Sequence, residues 1–273
     1  MTSIIASGDS PVQTEQQGKV LLITLNRPKA NAIDSQTSLA LYDVFASFEQ
    51  NSELQVAILT GAGERFFSAG WDLNAAQEGE AVDADHGPGG FAGLTEFFSL
   101  TKPVIAAVNG IAVGGGFELV LSCDLIVAVD HAQFFLPEAQ IGIAPDSGGV
   151  FRLPARLPRA IAMEMMLTGK RLTAEEALRW GLVNQVTSSE QLLPAALALA
   201  EKITASAPLA QRAIKELVIV GEALPIDDAF DVQRSGSLVN SRLVNYQKML
   251  TSKDAAEGGN AFAEGRAPVW KGY

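Results

Sequence analysis

Ile111-Ala112-Val113-Gly114-Gly115-Gly116-Phe117-Glu118-Leu119 places three adjacent glycines and one carboxylate inside an otherwise apolar run. Glycines that open a helix let a ligand approach bare backbone. The first N–H groups of a helix lack intrahelical partners and lie at the positive end of its dipole, so such a site favours negative charge. If the helix starts at the glycines, Glu118 follows Gly115 by three residues and points to the same side as the Gly115 amide. The competing reading makes the glycines a close-packing device and gives Glu118 a buried partner. The choice between them depends on the rest of the chain.

Outward from this stretch, strand and helix alternate. Residues 19–26 are a β-branched and aliphatic run stopped at Arg27-Pro28, and Asp34 or Ser35 caps a helix carrying Leu39, Val44, Phe45 and Phe48 to about residue 49. Strands follow at 55–60 and 66–68, a helix at 94–100 beyond the glycine-rich loop 86–91, and strands at 104–108, 125–129 and 134–136. From Pro158 the pattern becomes helical, at 161–167, 174–180, 190–205 and 208–220, with one strand near 182–186. This order is that of an α/β protein with a helical C-terminal region and no Pro- or Gly-rich linker. Residues 104–123 are apolar enough to suggest a membrane span, but Asn109, Glu118 and the glycines favour a strand followed by a buried helix, so no membrane partner is expected. Residues 1–20 lack the basic start and apolar centre of a signal peptide and read as a loose leader.

A chain of 273 residues with 48% apolar content can bury a large core. Its net charge of −11 argues against nucleic acid, whose phosphates require concentrated Lys and Arg. Cys123 is the only cysteine, which excludes an intrachain disulfide and fits a cytoplasmic location. His86 and His131 are the only histidines and have no metal-binding spacing, so neither a metal site nor a Ser-His-Asp triad is indicated. The glycines match neither GxGxxG nor the phosphate-binding loop. Carboxylates and backbone amides remain. Glu138 follows Pro137 where a strand meets a loop, a usual place for a catalytic side chain, although a capping or surface role suits it equally. Two carboxylates in one partly apolar pocket would push one pKa upward and could share a proton or a water.

Three groups of residues, 66–73 (Phe-Phe-Ser-Ala-Gly-Trp-Asp-Leu), 109–118 from Asn109-Gly110 to Phe117-Glu118, and Leu136-Pro137-Glu138, resemble in order and spacing the crotonase (enoyl-CoA hydratase/isomerase) superfamily over residues 15–273. The stretches 26–34, 83–93, 144–149 and 268–272 are similar to the branch that acts on carnitinyl-CoA. The resemblance implies a spiral of repeated ββα units, with a leader at 1–14, a core at 15–202 holding the active site, and a helical region at 203–273 for oligomerisation and site cover. It implies hydration or dehydration of an acyl-CoA thioester, carnitinyl-CoA and crotonobetainyl-CoA being the expected pair and another enoyl-CoA the alternative. A non-catalytic acyl-CoA-binding role is a third possibility, which two retained acids disfavour.

By the same resemblance, the N–H groups of Trp71 and Gly115 form an oxyanion hole. Glu118 and Glu138 hold the water, Glu118 activating it and Glu138 protonating C2, or the reverse. Lys29, Ala30, Ala32, Asp72 and Leu73 meet coenzyme A, with Arg27, Lys29 and Arg65 supplying positive charge. Coenzyme A enters as part of the substrate, and no separate cofactor or metal is implied. A phosphate-contacting lysine of the family is replaced by Gly265. A trimethylammonium group requires an aromatic face or a carboxylate, for which the Trp71, Phe91 and Phe134 rings are candidates and Trp71 is favoured. The expected assembly is a homotrimer or a hexamer.

Overall fold

The computed structural model describes residues 10–27, 29–81, 83–235 and 243–273. Residues 1–9, most of the expected leader, and Pro28 lie outside the described residues, as do residues 236–242 of the expected helical region. The chain divides into two units: the described residues up to Leu100 with Val104–Ala200, and Thr101–Pro103 with Glu201–Tyr273.

The first unit begins with an antiparallel pair, β1 (Val12–Gln17) and β2 (Val20–Leu25), joined at Gly18 with φ +59°. The leader expectation is thus corrected from Val12 onward. This polar edge strand borrows its order from the apolar residues of β2. Asp34 then caps α1 (Ser35–Gln50) by accepting the Thr37 N–H. Leu41, Phe45 and Phe48 form its buried stripe.

Three successive turns of chain then repeat one plan. The first contains β3 (Val56–Gly61), β4 (Phe66–Ser68) and α2 (Leu73–Gln77); the second contains β5 (Val104–Val108), β6 (Ile111–Val113) and α3 (Gly115–Ser122). The third contains β7 (Leu125–Val129), β8 (Gln133–Phe135) and, after a 3₁₀ turn at Glu138–Ile141, α4 (Gly149–Arg156). Each turn gives its first strand to one sheet and its second to another. After α5 (Arg159–Thr168), β9 (Leu172–Thr173), α6 (Ala174–Arg179) and β10 (Gln185–Thr187), the sheets read β1-β2-β3-β5-β7-β10 and β4-β6-β8-β9. Apart from the β1/β2 and β8/β9 pairs, every pairing is parallel. This is the ββα spiral. β3 and β5 are buried along their whole length, as parallel strands covered on both faces must be.

The apolar run 104–123 is resolved into β5, β6 and α3, and no single helix among the described residues is long and apolar enough to cross a membrane. The helix expected at 94–100 is absent; a 3₁₀ turn at Phe91–Gly93 stands before it. Ala92 and Gly93 have φ of +53° and +65°, and a Cβ at Gly93 would lie 2.2 Å from the Tyr42 backbone nitrogen. Close approach to α1 therefore overrides the apolar pattern.

The second unit contains the end of α7 (Leu192–Thr204), then α8 (Pro208–Glu222), α9 (Ile226–Ser235), α10 (Val244–Leu250) and α11 (Lys253–Glu264). Val220, Val232 and Leu243 form its small core with Leu217, Leu224 and Tyr246. No side chain of its own caps α10, so buried Glu216 on α8 accepts the Asn245 and Tyr246 N–H groups at 3.2 and 2.9 Å.

Candidate active site

The second sheet brings the candidate residues together. Ser68 pairs with Ala112 and Val113 with Phe135, so parallel β4, β6 and β8 end at one edge. Trp71 lies three residues beyond Ser68, Gly115 three beyond Ala112 and Glu138 three beyond Phe135. Three motifs far apart in the chain thus become neighbours through strand register alone.

Backbone geometry frees two amides at this edge. Gly70 has φ +78°, and a Cβ there would lie 2.7 Å from the Gly115 nitrogen and 2.8 Å from the Val113 oxygen. Ile33 bridges the loop in parallel fashion, donating its N–H to Gly70 O at 2.8 Å and accepting from Asp72 N at 2.9 Å. That pairing turns the Trp71 N–H the other way. Gly115 is the first residue of α3, capped by Gly114 at φ +58°, where the helix leaves its N–H unbonded. Among the described residues, neither the Trp71 N–H nor the Gly115 N–H has a protein acceptor.

Glu118, one turn into α3, is 3% exposed, and its Oε1 accepts the Gly149 N–H at 2.8 Å. Gly149 opens α4, so the helix N-terminus partly compensates this carboxylate. Burial still dominates and raises its pKa to about 8, opposed by the Gly149 bond and reinforced by Glu138 and Asp146. Glu138 begins the 3₁₀ turn after β8 and is 7% exposed. Its Oε1 is so close to Gly114 that a Cβ there would sit 2.9 Å away, and its Oε2 has no partner among the described residues. Burial, with Asp146 nearby, pushes the Glu138 pKa up to about 7 against one bond from its own backbone. A carboxyl whose pKa is raised toward neutrality is suited to acid–base chemistry.

Both acids and both amide residues line one cavity of about 280 Å³. Asp83, Asp85, Glu96 and Asp146 bring its carboxylates to six; among the described residues no lysine or arginine lines it, and the imidazole of His86 is its one basic group. Ser38 fixes that imidazole. The Ser38 hydroxyl lies 3.0 Å from Asp34 O, accepts the Ala92 N–H at 3.0 Å and is hydrogen-bonded with His86 Nδ1 at 2.9 Å. Burial lowers the His86 pKa despite Glu80 and three aspartates nearby.

Trp71 lines the cavity, and its Nε1–H donates to Glu80 Oε1 at 2.8 Å. Phe91 also lines it, and a Cβ at Gly115 would meet that ring at 2.5 Å. Phe134 does not reach it: wholly buried, it packs on Phe117 with ring centroids 5.4 Å apart. The coenzyme candidates lie beside the loop that carries Trp71, because Ala69 N donates to Ala30 O at 2.9 Å and Ile33 continues the zipper. Lys29 is exposed at φ +76°, and Leu73 is 60% exposed. Asp72 caps α2 and pairs with Arg27 at 3.0 Å. Arg27 also pairs with Asp34 at 3.0 Å and donates to Ala32 O, so its positive charge is shared with two carboxylates. Sequence reasoning missed the roles of Glu80, Ser38 and Asp146. A group of three or more side chains suited to a metal is not found among the described residues.

Two unpartnered amides and two buried carboxylates on one cavity, at the strand edge of a ββα spiral, make the kind of site that can stabilise an oxyanion while a proton moves. The chain belongs to the enoyl-CoA hydratase/isomerase family, whose model matches residues 15–273. It is 58% identical over 257 residues to a carnitinyl-CoA dehydratase of Salmonella typhi, covering 94% of this chain and 97% of that one. Identity to the carnitinyl-CoA dehydratase of Escherichia coli is 59%, with the same coverage. The crystal structure of an enoyl-CoA hydratase from Mycobacterium tuberculosis H37Rv superposes with a TM-score of 0.86 at 45% identity, covering 96% of this chain and 99% of that one. That of a carnitinyl-CoA hydratase from Mycobacterium avium gives 0.73 at 42% identity with the same coverage.

Proposed function

We propose that this acyl-CoA hydratase/dehydratase interconverts carnitinyl-CoA and crotonobetainyl-CoA. The observation that carries the chemistry is the pairing of two buried acids, with pKa values near 8 and 7, with two unpartnered amides in one cavity. In hydration the thioester oxygen accepts the Trp71 and Gly115 N–H groups. One ionised glutamate takes a proton from water as its oxygen bonds to C3. The charge that gathers on the thioester oxygen is then discharged when the other, protonated glutamate delivers its proton to C2. Dehydration reverses each step. An amide of this kind is worth about 2.7–4 kcal/mol to the transition state. The pair shares one proton near neutrality. Glu118 is assigned as water activator and Glu138 as proton donor to C2, and the two roles can be exchanged.

The cationic acyl group is supported by six carboxylates and an indole around a cavity with no lining lysine or arginine among the described residues, and by relatives named carnitinyl-CoA dehydratases. Lys29, Ala30, Ala32, Asp72 and Leu73 are the proposed coenzyme A contacts. Addition of water to an enoyl thioester is redox-neutral, and we propose no cofactor for it. A CoA thioester substrate and a single buried thiol, Cys123, suit the cytoplasm. Exposed apolar side chains of the second unit, Ile226 at 74% and Phe262 at 90%, suit a trimer or hexamer, which light scattering tests.

A hydration assay over a panel of enoyl-CoA thioesters decides the substrate. Crotonobetainyl-CoA should be turned over faster than crotonyl-CoA. Much faster hydration of crotonyl-CoA would favour a general enoyl-CoA hydratase, the reading to which the Mycobacterium tuberculosis structure leans.

A further inference from the structure

Glu80 is tied at both oxygens. Oε1 accepts the Trp71 indole N–H at 2.8 Å, while Oε2 accepts the Ser35 N–H at 3.1 Å and the Ser35 hydroxyl at 2.7 Å. Ser35 is the first residue of α1, a helix of 16 residues, so the carboxylate occupies a helix N-terminus that favours its charge. A long helix is thereby connected to one side chain of the cavity wall. Burial alone would raise the Glu80 pKa, but the Ser35 and Trp71 donors outweigh it and hold the acid below its ordinary value, ionised at neutral pH.

An anion on the edge of an indole acts on its face. The accepted N–H proton is drawn toward the carboxylate and electron density is pushed back into the ring. The negative potential of the ring face, which attracts cations, increases accordingly. Trp71 lines the cavity, and its main chain already stands at the oxyanion loop. We propose that Glu80 is a specificity-determining positioning residue: it holds the Trp71 ring as a wall of the acyl cavity and makes that wall more attractive to a trimethylammonium group. This inference rests on the cationic acyl group proposed above.

The test uses two unreactive thioesters of nearly equal shape: γ-butyrobetainyl-CoA, and 5,5-dimethylhexanoyl-CoA, in which carbon replaces the charged nitrogen. The ratio of their affinities, measured by calorimetry on the intact protein, isolates recognition of charge. Glu80→Gln is neutral and has one acceptor oxygen in place of two, so it cannot accept from both the indole N–H and the Ser35 N–H. The ratio should fall about 3- to 10-fold in Glu80→Gln, and similarly in Trp71→Phe, which lacks the N–H donor. In the double variant it should fall no further, because both changes break one relay.

A Glu80→Gln ratio within twofold of the wild type, with both affinities reduced together, would overturn the inference and leave Glu80 a structural latch. A full additional drop in the double variant would overturn it too, since Glu80 would then act on the ligand through space. If Glu80→Gln does not fold, an unchanged ratio in Trp71→Phe has the same force. A wild-type ratio near one would instead reject the cationic acyl group itself.

Discussion

Glu118 and Glu138 in the cavity and Glu216 and Asp254 in the C-terminal unit are concealed to similar degrees, at 3% and 7% against 9% and 5% exposure, yet they are used differently. Glu216 takes two backbone N–H groups of α10, and Asp254 takes those of Lys271 and Gly272 at 2.7 and 2.8 Å, fastening the C-terminal segment. Each oxygen of these two acids accepts a backbone N–H. In the cavity one oxygen of Glu138 has no partner among the described residues, and Glu118 has one backbone donor for a whole carboxylate. Burial by itself thus does not single out the proposed catalytic acids. What distinguishes the two regions is how many donors meet the buried charge.

The largest effect that would sharpen this contrast is kinetic. Glu118→Gln and Glu138→Gln should each lower hydration kcat by about 10²–10⁴-fold with the fold retained, as circular dichroism and steady-state assays would show. Undiminished turnover in both would remove the two-acid mechanism. A stability effect comes next: Glu216→Ala should cost about 1–3 kcal/mol in denaturant unfolding, because the N–H groups of α10 lose their acceptor. If it instead cut kcat while leaving stability untouched, the contrast would fail.

The pH dependence of stability follows from the cavity acids. Their folded pKa values, near 8 and 7, lie above the ordinary 4.5, so the native state binds more protons than the unfolded one. Their contribution is fully present below about pH 4.5 and is lost as pH rises through 7–8. Wild type should therefore lose several kcal/mol of stability, at about 1.4 kcal/mol per pKa unit, relative to the doubly substituted Glu118→Gln/Glu138→Gln protein between pH 5 and 9, read from unfolding curves. The smallest effect concerns the ligand. Exposed Lys29 changed to Ala should raise the KM for a CoA thioester about 2- to 5-fold without altering the acid limb of the kcat profile.

Local features were legible in the residues because their physics is local. The Asp34 cap, the glycine-opened α3 and the strand preceding Glu138 each depend on neighbours within one helical turn. Val12–Gln17 was not legible, since its polar residues become a strand only against β2. Nor was the irregular chain at 94–100, where apolar content suggests a helix and the approach of Gly93 to Tyr42 prevents one. Glu80 carries no local signal at all: its partners lie 9 and 45 residues away.

By itself, the sequence determined the alternation of strands and helices, the glycines at 114–116 and the presence of two acids in an apolar setting. Only the tertiary structure decided that Trp71, Gly115, Glu118 and Glu138 share one cavity, because the parallel register of β4, β6 and β8 aligns segments distant in the chain. It also decided which acids hold their protons to neutral pH. A carboxylate's charge is set by the donors folded around it, and those of Glu118 come from a helix 31 residues away.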